Sequence, residues 1–177
     1  CTYERPAAPG DGSALRAALA RIRSEAREAV KSGRAHHIIL CDMAQSSTRI
    51  AIPMILAVGG VHSHLVEAGL RTYCSLIVRA AECVDPHYVA VLVGVGATVV
   101  NPYLACETIA FNHARGLYPG VTLGRAILNY KTAIEAGLLK ILSKSGISVI
   151  SSYRGGCNFE ALGISRALAA EYFPGAT

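Results

Sequence analysis

The stretch that decides the fold is residues 147–163, Ile147-Ser-Val-Ile-Ser-Ser-Tyr-Arg-Gly-Gly-Cys-Asn-Phe-Glu-Ala-Leu-Gly163. Its apolar start predicts a buried strand over 147–151, its polar middle predicts a loop that carries Arg154, and its end predicts a helix. Residues 94–107, Gly94-Val-Gly-Ala-Thr-Val-Val-Asn-Pro-Tyr-Leu-Ala-Cys-Glu107, repeat this order of strand, polar stop and helix. Both stretches are typical of a parallel βα architecture.

The rest of the chain alternates in the same way, after a Pro- and Gly-rich lead-in over 1–12. The predicted strands cover 36–41, 72–78, 97–100 and 147–151. The predicted helices cover 13–33 (capped by Ser13), 53–69, 85–93, 103–115, 123–144, 159–162 and 165–173. The strands are nearly continuous apolar runs, which indicates a parallel β-sheet with alternating helices. Four strands are too few for an eight-stranded barrel. We therefore predict a single α/β domain over 1–177 that resembles a truncated TIM barrel, with an open α/β sheet as the alternative.

Composition limits the classes of protein to consider. Hydrophobic residues make up 52% of the 177 residues, charged residues 16%, and the mean hydropathy is +0.38. Either the sheet is buried on both sides, or the chain packs against more protein. No apolar run reaches the roughly 20 residues that a bilayer requires. The net charge is +5, but the basic residues are scattered, so we expect no nucleic-acid surface and no membrane contact.

The cysteines and the amino terminus suggest a reduced, cytoplasmic setting. The six cysteines form no CxxC pair, and thiols inside apolar strands behave as small hydrophobic groups. We therefore expect no metal site. The chain starts at Cys1 without a basic and apolar leader. Because it also lacks an initial Met, we expect an excised or processed segment of a longer protein.

Several patterns that could indicate chemistry have a simpler structural explanation. Gly94-Val-Gly96 follows a predicted helix and precedes a strand, whereas a dinucleotide loop requires the opposite order. The glycines are therefore expected to end a helix. His62 and His64 diverge by about 200° on a helix, so they cannot share a metal there.

Polar side chains follow the predicted strands, where parallel α/β folds commonly bind ligands. The candidates for such a site are Asp42, Gln45, Asn101, Tyr103, Ser152, Tyr153 and Arg154. In the structural alternative, Asp42 and Asn101 cap turns and Arg154 pairs with a carboxylate, and the sequence leaves both interpretations open.

Ordered segments resemble the glutamate synthase large subunit over about residues 6–177. They are Ile52-Pro-Met-Ile-Leu-Ala-Val-Gly-Gly-Val-His-Ser-His-Leu65, Gly69–Val78, Val93–Ala105, Glu107–Ile109, Asn129–Lys131, Gly137–Ser148 and Ser152–Gly163. The family's "SDR" corresponds to Cys41-Asp42-Met43, so Asp42 is retained and the arginine is not. The family's "KMGIS" corresponds to Lys144–Ser148 with Ser145 in place of Met, and "YRGAQIFEA" corresponds to Tyr153–Ala161 without the glutamine.

The resemblance implies the later part of the central domain, between a glutaminase domain and an FMN-binding synthase barrel. Such an enzyme, an oxidoreductase that depends on NADPH or ferredoxin, makes two glutamates from glutamine and 2-oxoglutarate. FMN and an iron–sulfur cluster are implied for the full-length enzyme and none for this segment. Its partners would be the glutaminase and FMN domains of the same chain, with a small subunit or ferredoxin beyond them. A plastid location is implied if the source is a photosynthetic eukaryote.

The leading functional hypothesis is a non-catalytic connecting domain that helps shape the ammonia path, with the seven candidate residues facing other domains or the tunnel. The alternative hypothesis is a divergent stand-alone α/β enzyme or small-molecule-binding protein that uses the carboxyl edge of the strands.

Overall fold

The computed structural model describes residues 1–6 and 10–176. The strands are β1 (Thr2–Glu4), β2 (His37–Cys41), β3 (Arg49–Ala51), β4 (Ser75–Arg79) and β5 (Val99–Asn101). The helices are α1 (Ser13–Lys31), α2 (Met54–Glu67), α3 (Pro86–Gly94), α4 (Tyr103–Ala114), α5 (Leu123–Lys144), α6 (Ile150–Tyr153) and α7 (Arg166–Tyr172), with a 3₁₀ turn at Arg71–Tyr73. In this part of the chain no helix is long and apolar enough to cross a membrane.

A three-stranded parallel sheet, in the order β2-β4-β5, forms the centre of the fold. A two-stranded antiparallel sheet of β1 and β3 lies apart from it. The predicted α/β class with a parallel sheet and alternating helices is confirmed, and the described strands close no barrel. A truncated barrel-like arrangement agrees with this topology.

One face of the parallel sheet forms the hydrophobic core. Leu76 and Val78 of β4 have no exposed surface, and their neighbours in register on β2 are Ile38 and Leu40. The cluster also contains Ala57, Val58, Val61 and Leu65 of α2 together with the inner residues of α1. Side chains alternate between the two faces of a strand, so the other face presents a different row of residues, described below.

Local signals placed most helix ends correctly. Asp85 accepts a hydrogen bond from the Tyr88 N–H at 2.9 Å at the start of α3, as an N-cap followed by proline predicts. Ser165 does the same for Leu168 on α7. Gly33 and Gly146 end α1 and α5 with φ of +70° and +69°, a conformation that glycine adopts without strain.

The predicted fourth strand over 147–151 is wrong. The Ile147 N–H donates to Leu142 as part of the α5 terminus, and the amides of Ser152 and Arg154 donate to Val149 and Ile150 within the turn of α6. These bonds take the Ile147 N–H and the carbonyls of Val149 and Ile150, which a strand would need for pairing. Val149 and Ile150 are 55% and 46% exposed, so this segment is not the central core strand that its composition suggested.

Other boundaries also differ from prediction. The lead-in over 1–12 contains β1, and its residues 7–9 lie outside the described part of the chain, as does Thr177 at the end of the predicted domain. Ser13 is the first residue of α1 instead of its cap, and its N–H donates to Asp11 at 2.9 Å. Residues 72–73 lie in the 3₁₀ turn.

Residues 159–162 form no helix. Phe159 instead packs on Gly94, where an added Cβ would lie 2.6 Å from the Phe159 ring.

Candidate functional site

The seven residues predicted to share the carboxyl edge of the sheet are divided between its two edges. Asp42, Asn101 and Tyr103 lie at the carboxyl edge, after or at the ends of β2 and β5. Ser152, Tyr153 and Arg154 lie on or just after α6, and Arg154 lines a cleft with His37 and Ser75, the first residues of β2 and β4. The prediction of one common edge is therefore wrong, because residues 150–153 form a helix at the amino edge. Gln45 is exposed in the segment between β2 and β3.

The carboxyl edge is organised around Asp42, which has no exposed surface. Its Oδ2 accepts the Ala81 N–H at 2.9 Å, while no described residue donates a hydrogen bond to the buried Oδ1. Burial first, and then the adjacent Asp42 carboxylate, raise the pKa of Tyr103 to about 12. The Arg79 guanidinium lies 5.6 Å from the centre of the Tyr103 ring, within the range of a cation–π contact.

A second carboxylate at this edge is also held within the chain. Glu82 accepts the Met54 N–H at the start of α2 at 3.3 Å and accepts a hydrogen bond from the Tyr88 hydroxyl. Burial and this bond raise the pKa of Tyr88. Asp42 and Glu82 therefore serve as structural acceptors, and the edge is a packed, hydrogen-bonded end of the sheet.

Arg71 organises the amino edge. Its Nε donates to Nδ1 of His62 at 2.9 Å, and its two terminal nitrogens donate to the carbonyls of Cys74 at 2.6 Å and Gly96 at 2.8 Å. These bonds fix the 3₁₀ turn to the loop before β5. Hydrogen bonds from a charged donor are stronger than neutral ones, so Arg71 ties together three segments that the sheet ladder does not.

His62 fills the space between two glycines. An added Cβ would lie 2.2 Å from its ring at Gly96 and 2.8 Å at Gly155, so each position requires glycine for close approach. Burial, followed by the positive charges of Arg71 and Arg154, lowers the pKa of His62 to about 4. Because Nδ1 accepts from Arg71, the neutral ring carries its proton on Nε2.

Between the two edges, the second face of the sheet carries an apolar row, which we call the open face. Ile39, Ile77 and Val99 pair side by side in register on β2, β4 and β5. Ile39 is 62% and Val99 is 48% exposed, whereas Leu76 and Val78 on the core face have no exposure. His37 and Ser75 border the row at the amino edge, and Arg79 and Asn101 border it at the carboxyl edge.

An apolar centre with a polar rim is typical of a surface that another protein part covers.

The sequence profile described as "Glutamate synthase central domain" matches residues 1–165 of the chain. The chain belongs to that family.

Similar proteins agree with this assignment of a central domain. The large chain of NADPH glutamate synthase from Azospirillum brasilense is 61% identical over 168 residues, which are 94% of this chain and 11% of that protein. The chloroplastic ferredoxin-dependent glutamate synthase of Spinacia oleracea is 43% identical, over 84% of this chain and 10% of that protein. The NADH glutamate synthase of Schizosaccharomyces pombe is 40% identical, over 90% and 8%. The chain thus spans about a tenth of the length of these curated relatives.

Two observations on the described residues of this central domain bear on the cofactors that the resemblance implies for a full-length enzyme. Among those residues, no three His, Cys, Asp or Glu side chains gather as a metal site would require, so the cysteines do not present a cluster-binding set. Side chains occupy the space at the Gly94–Gly96 turn, where Phe159 and His62 pack against the glycines. A phosphate group has no room to approach the backbone there.

Sequence reasoning missed the residues that organise the amino edge of the central domain. His62 was considered only as a metal ligand beside His64 and within the family motif, and Arg71 only within the segment after that motif. Asp42 and Tyr153 were expected to face neighbours, but Asp42 is fully buried and Tyr153 is 5% exposed in the cluster with Val93 and Leu142. The exposure of Ile39 could not be inferred, because its strand is a continuous apolar run.

Proposed function

We propose that this chain is a non-catalytic connecting module of a glutamate synthase large chain, an enzyme that makes two glutamates from glutamine and 2-oxoglutarate. It joins the glutaminase domain to the FMN-binding synthase domain and helps shape the path of ammonia between them. In this proposal FMN and the iron–sulfur cluster belong to other parts of the enzyme. The electron donor is NADPH, NADH or ferredoxin, as the names of the relatives state for those proteins.

The observation that carries the proposal is the open face of the sheet. Exposed Ile39 and Val99 flank Ile77 in one row across three strands. Water-exposed apolar rows of this kind are unfavourable by about 25 cal/mol for each Å² that could be buried. A neighbouring domain of the same polypeptide is the occupant that we propose. The chain matches only about a tenth of the length of these relatives, so the rest of such a polypeptide is long enough to cover the row.

The carboxyl edge gives the alternative, a stand-alone enzyme or small-molecule-binding protein, little support. Glu82 accepts hydrogen bonds from Met54 and Tyr88, and Asp42, which has no exposed surface, accepts one from Ala81 through Oδ2. The Arg79 guanidinium lies over Tyr103. The groups that would bind a substrate there already stabilise the fold.

The test is the Ile39→Asp variant in the complete synthase, which places a charge on the open face. We expect the glutaminase and synthase half-reactions, each assayed alone, to stay largely intact. The ammonia that escapes per glutamine hydrolysed should rise, because a charge at a covered apolar contact loosens the docking. The matched control is Val66→Asp on α2, where Val66 is 53% exposed against 62% for Ile39.

Two results would contradict the proposal. One is equal ammonia escape from the two variants. The other is complete loss of a single half-reaction from Ile39→Asp in a protein that remains folded, since this would place a catalytic function at the open face.

Arg154→Ala provides a second test of coupling at the amino edge. It should also raise ammonia escape while both half-reactions persist. Abolition of one half-reaction in a folded protein would make Arg154 a catalytic residue and would defeat the connecting role.

A further inference from the structure

The cleft at the amino edge has a positive lining. Its volume is about 580 Å³, and its lining includes two arginines, Arg71 and Arg154, and three histidines, His36, His37 and His62. No Asp or Glu is among the residues that line it. Among the described residues that line the cleft, the two guanidinium charges of Arg71 and Arg154 therefore meet no carboxylate.

Arg154 is the group that this cleft leaves available. The neighbouring Arg71 donates three N–H groups inward, to His62, Cys74 and Gly96. Arg154 is exposed, and its side chain has no hydrogen bond or ion pair with the residues that the structure describes. After burial, its charge is one of the causes that lower the pKa values of His62 and Arg71. Like charges in one place favour binding of an anion.

We propose that this cleft docks an acidic segment of polypeptide, whose Asp or Glu carboxylate pairs with Arg154 while apolar neighbours of that residue cover the open face. The segment would come from another domain of the same polypeptide, and in this respect the inference rests on the proposed function. It adds a specific partner chemistry to the amino edge. A guanidinium fork donates two parallel N–H hydrogen bonds to a carboxylate, which is the bidentate geometry.

The shape of the site favours a polypeptide over a small acid. His37 and Ser75 pair in register at the cleft, and Ile39 and Ile77 follow two residues later on the same face of the same strands. Tyr73, which also lines the cleft, is 66% exposed. Small-molecule sites usually enclose 70–90% or more of the ligand surface, whereas this cleft opens directly onto the apolar row. A polypeptide segment with an acidic residue flanked by apolar residues matches both the cleft at Arg154 and the apolar row of the open face.

Chemical cross-linking of the complete polypeptide tests this assignment. The variant Arg154→Lys keeps the charge and supplies an amine that a carbodiimide can join to a carboxylate in direct contact. Peptide mass spectrometry should then find an amide between position 154 and an Asp or Glu outside residues 1–177. The Lys131–Glu135 pair on α5, with 3.4 Å between Nζ and Oε1, reports whether the reagent worked. Arg166→Lys, at an exposed position on α7, is the matched control and should give no comparable cross-link.

The remaining outcomes overturn the proposal. Position 154 without a cross-link, beside a cross-linked Lys131–Glu135 pair, shows that no carboxylate docks there. A cross-link to a carboxylate within residues 1–177 shows that the chain neutralises its own cleft. Binding of succinate or inorganic phosphate that is lost in Arg154→Gln, without a cross-link in Arg154→Lys, assigns the cleft to a small anion. A different result tests the proposed function: a reading frame without flanking glutaminase and synthase domains would contradict the connecting role, whatever the cross-linking at position 154 shows.

Discussion

Gly155→Ala should destabilise the chain because His62 closes the amino edge against residues 150–155. Gly155 has φ of +73°, and an added Cβ would lie 2.8 Å from both Cε1 and Nε2 of His62. Gly146 has nearly the same backbone, with φ of +69°, but no atom within 4 Å of the added Cβ. The pair of variants therefore separates backbone strain from the steric contact.

The magnitude follows from these two terms. Left-handed backbone costs an alanine about 1–2 kcal/mol, and the smaller entropy of the unfolded alanine chain offsets about 0.4–1 kcal/mol of that cost. Both variants share this net loss. Overpacking against the His62 ring, which Arg71 holds at 2.9 Å, adds about 1–3 kcal/mol for Gly155→Ala alone. We therefore expect Gly155→Ala to be less stable than Gly146→Ala by about 1–3 kcal/mol.

Urea unfolding followed by circular dichroism measures both free energies of unfolding. In a His62→Ala background the difference between the two glycine variants should largely disappear, since the ring that the new methyl group meets is gone. Equal destabilisation by Gly155→Ala and Gly146→Ala in the wild-type background would refute the packing of His62 between Gly96 and Gly155.

Three further predictions concern the core, a titration and the carboxyl edge. Ile150→Ala should lower the free energy of unfolding by less than about 1 kcal/mol in urea melts, because Ile150 is 46% exposed. Leu76→Ala, at a position with no exposure, should lower it by about 2–5 kcal/mol. The reverse order would place the 147–151 segment back in the core. The pKa of His62 is about 4 in the folded chain against an ordinary 6.5, so the unfolded chain binds the extra proton between these values. The contribution of neutral His62 to stability should be complete above about pH 6.5 and should decrease as the pH falls toward 4. The test compares the His62→Gln variant with a control variant at exposed His36, His36→Gln. A His62→Gln variant that keeps the full wild-type pH dependence of stability would contradict this. Asp42→Ala should cost about 1–3 kcal/mol because the Ala81 N–H loses its acceptor, and Asp42→Asn, which keeps an acceptor, should cost less; equal losses from the two would show that this hydrogen bond contributes little.

Features that depend on neighbouring residues in the chain were predictable. The cap at Asp85, the glycine stops at Gly33 and Gly146 and the alternation of strands and helices all follow from local rules. The α/β class followed from this alternation. The pairing of β2, β4 and β5 in one parallel sheet agrees with it.

Features that depend on distant contacts were not predictable. Ile147 to Ser151 has the composition of a strand, but hydrogen bonds at the end of α5 and in the turn of α6 use the Ile147 N–H and the carbonyls of Val149 and Ile150. That local competition moved Arg154 to the edge of the sheet opposite Asp42. The contact between His62 and Arg71 depends on how α2 meets the 3₁₀ turn, and no periodicity encodes this geometry. The exposure of Ile39 depends on what covers the sheet, which a strand sequence does not contain.

We propose that other domains cover the open face in the complete enzyme. Carbene footprinting of the complete polypeptide, with peptide mass spectrometry, measures the accessibility of each side chain directly. In this chain Ile39 and Val66 are 62% and 53% exposed, so an uncovered open face would label at least as strongly at Ile39 as at Val66. If other domains cover the open face, labelling at Ile39 and Val99 should fall well below labelling at Val66. Labelling of Ile39 at or above the level of Val66 would contradict it.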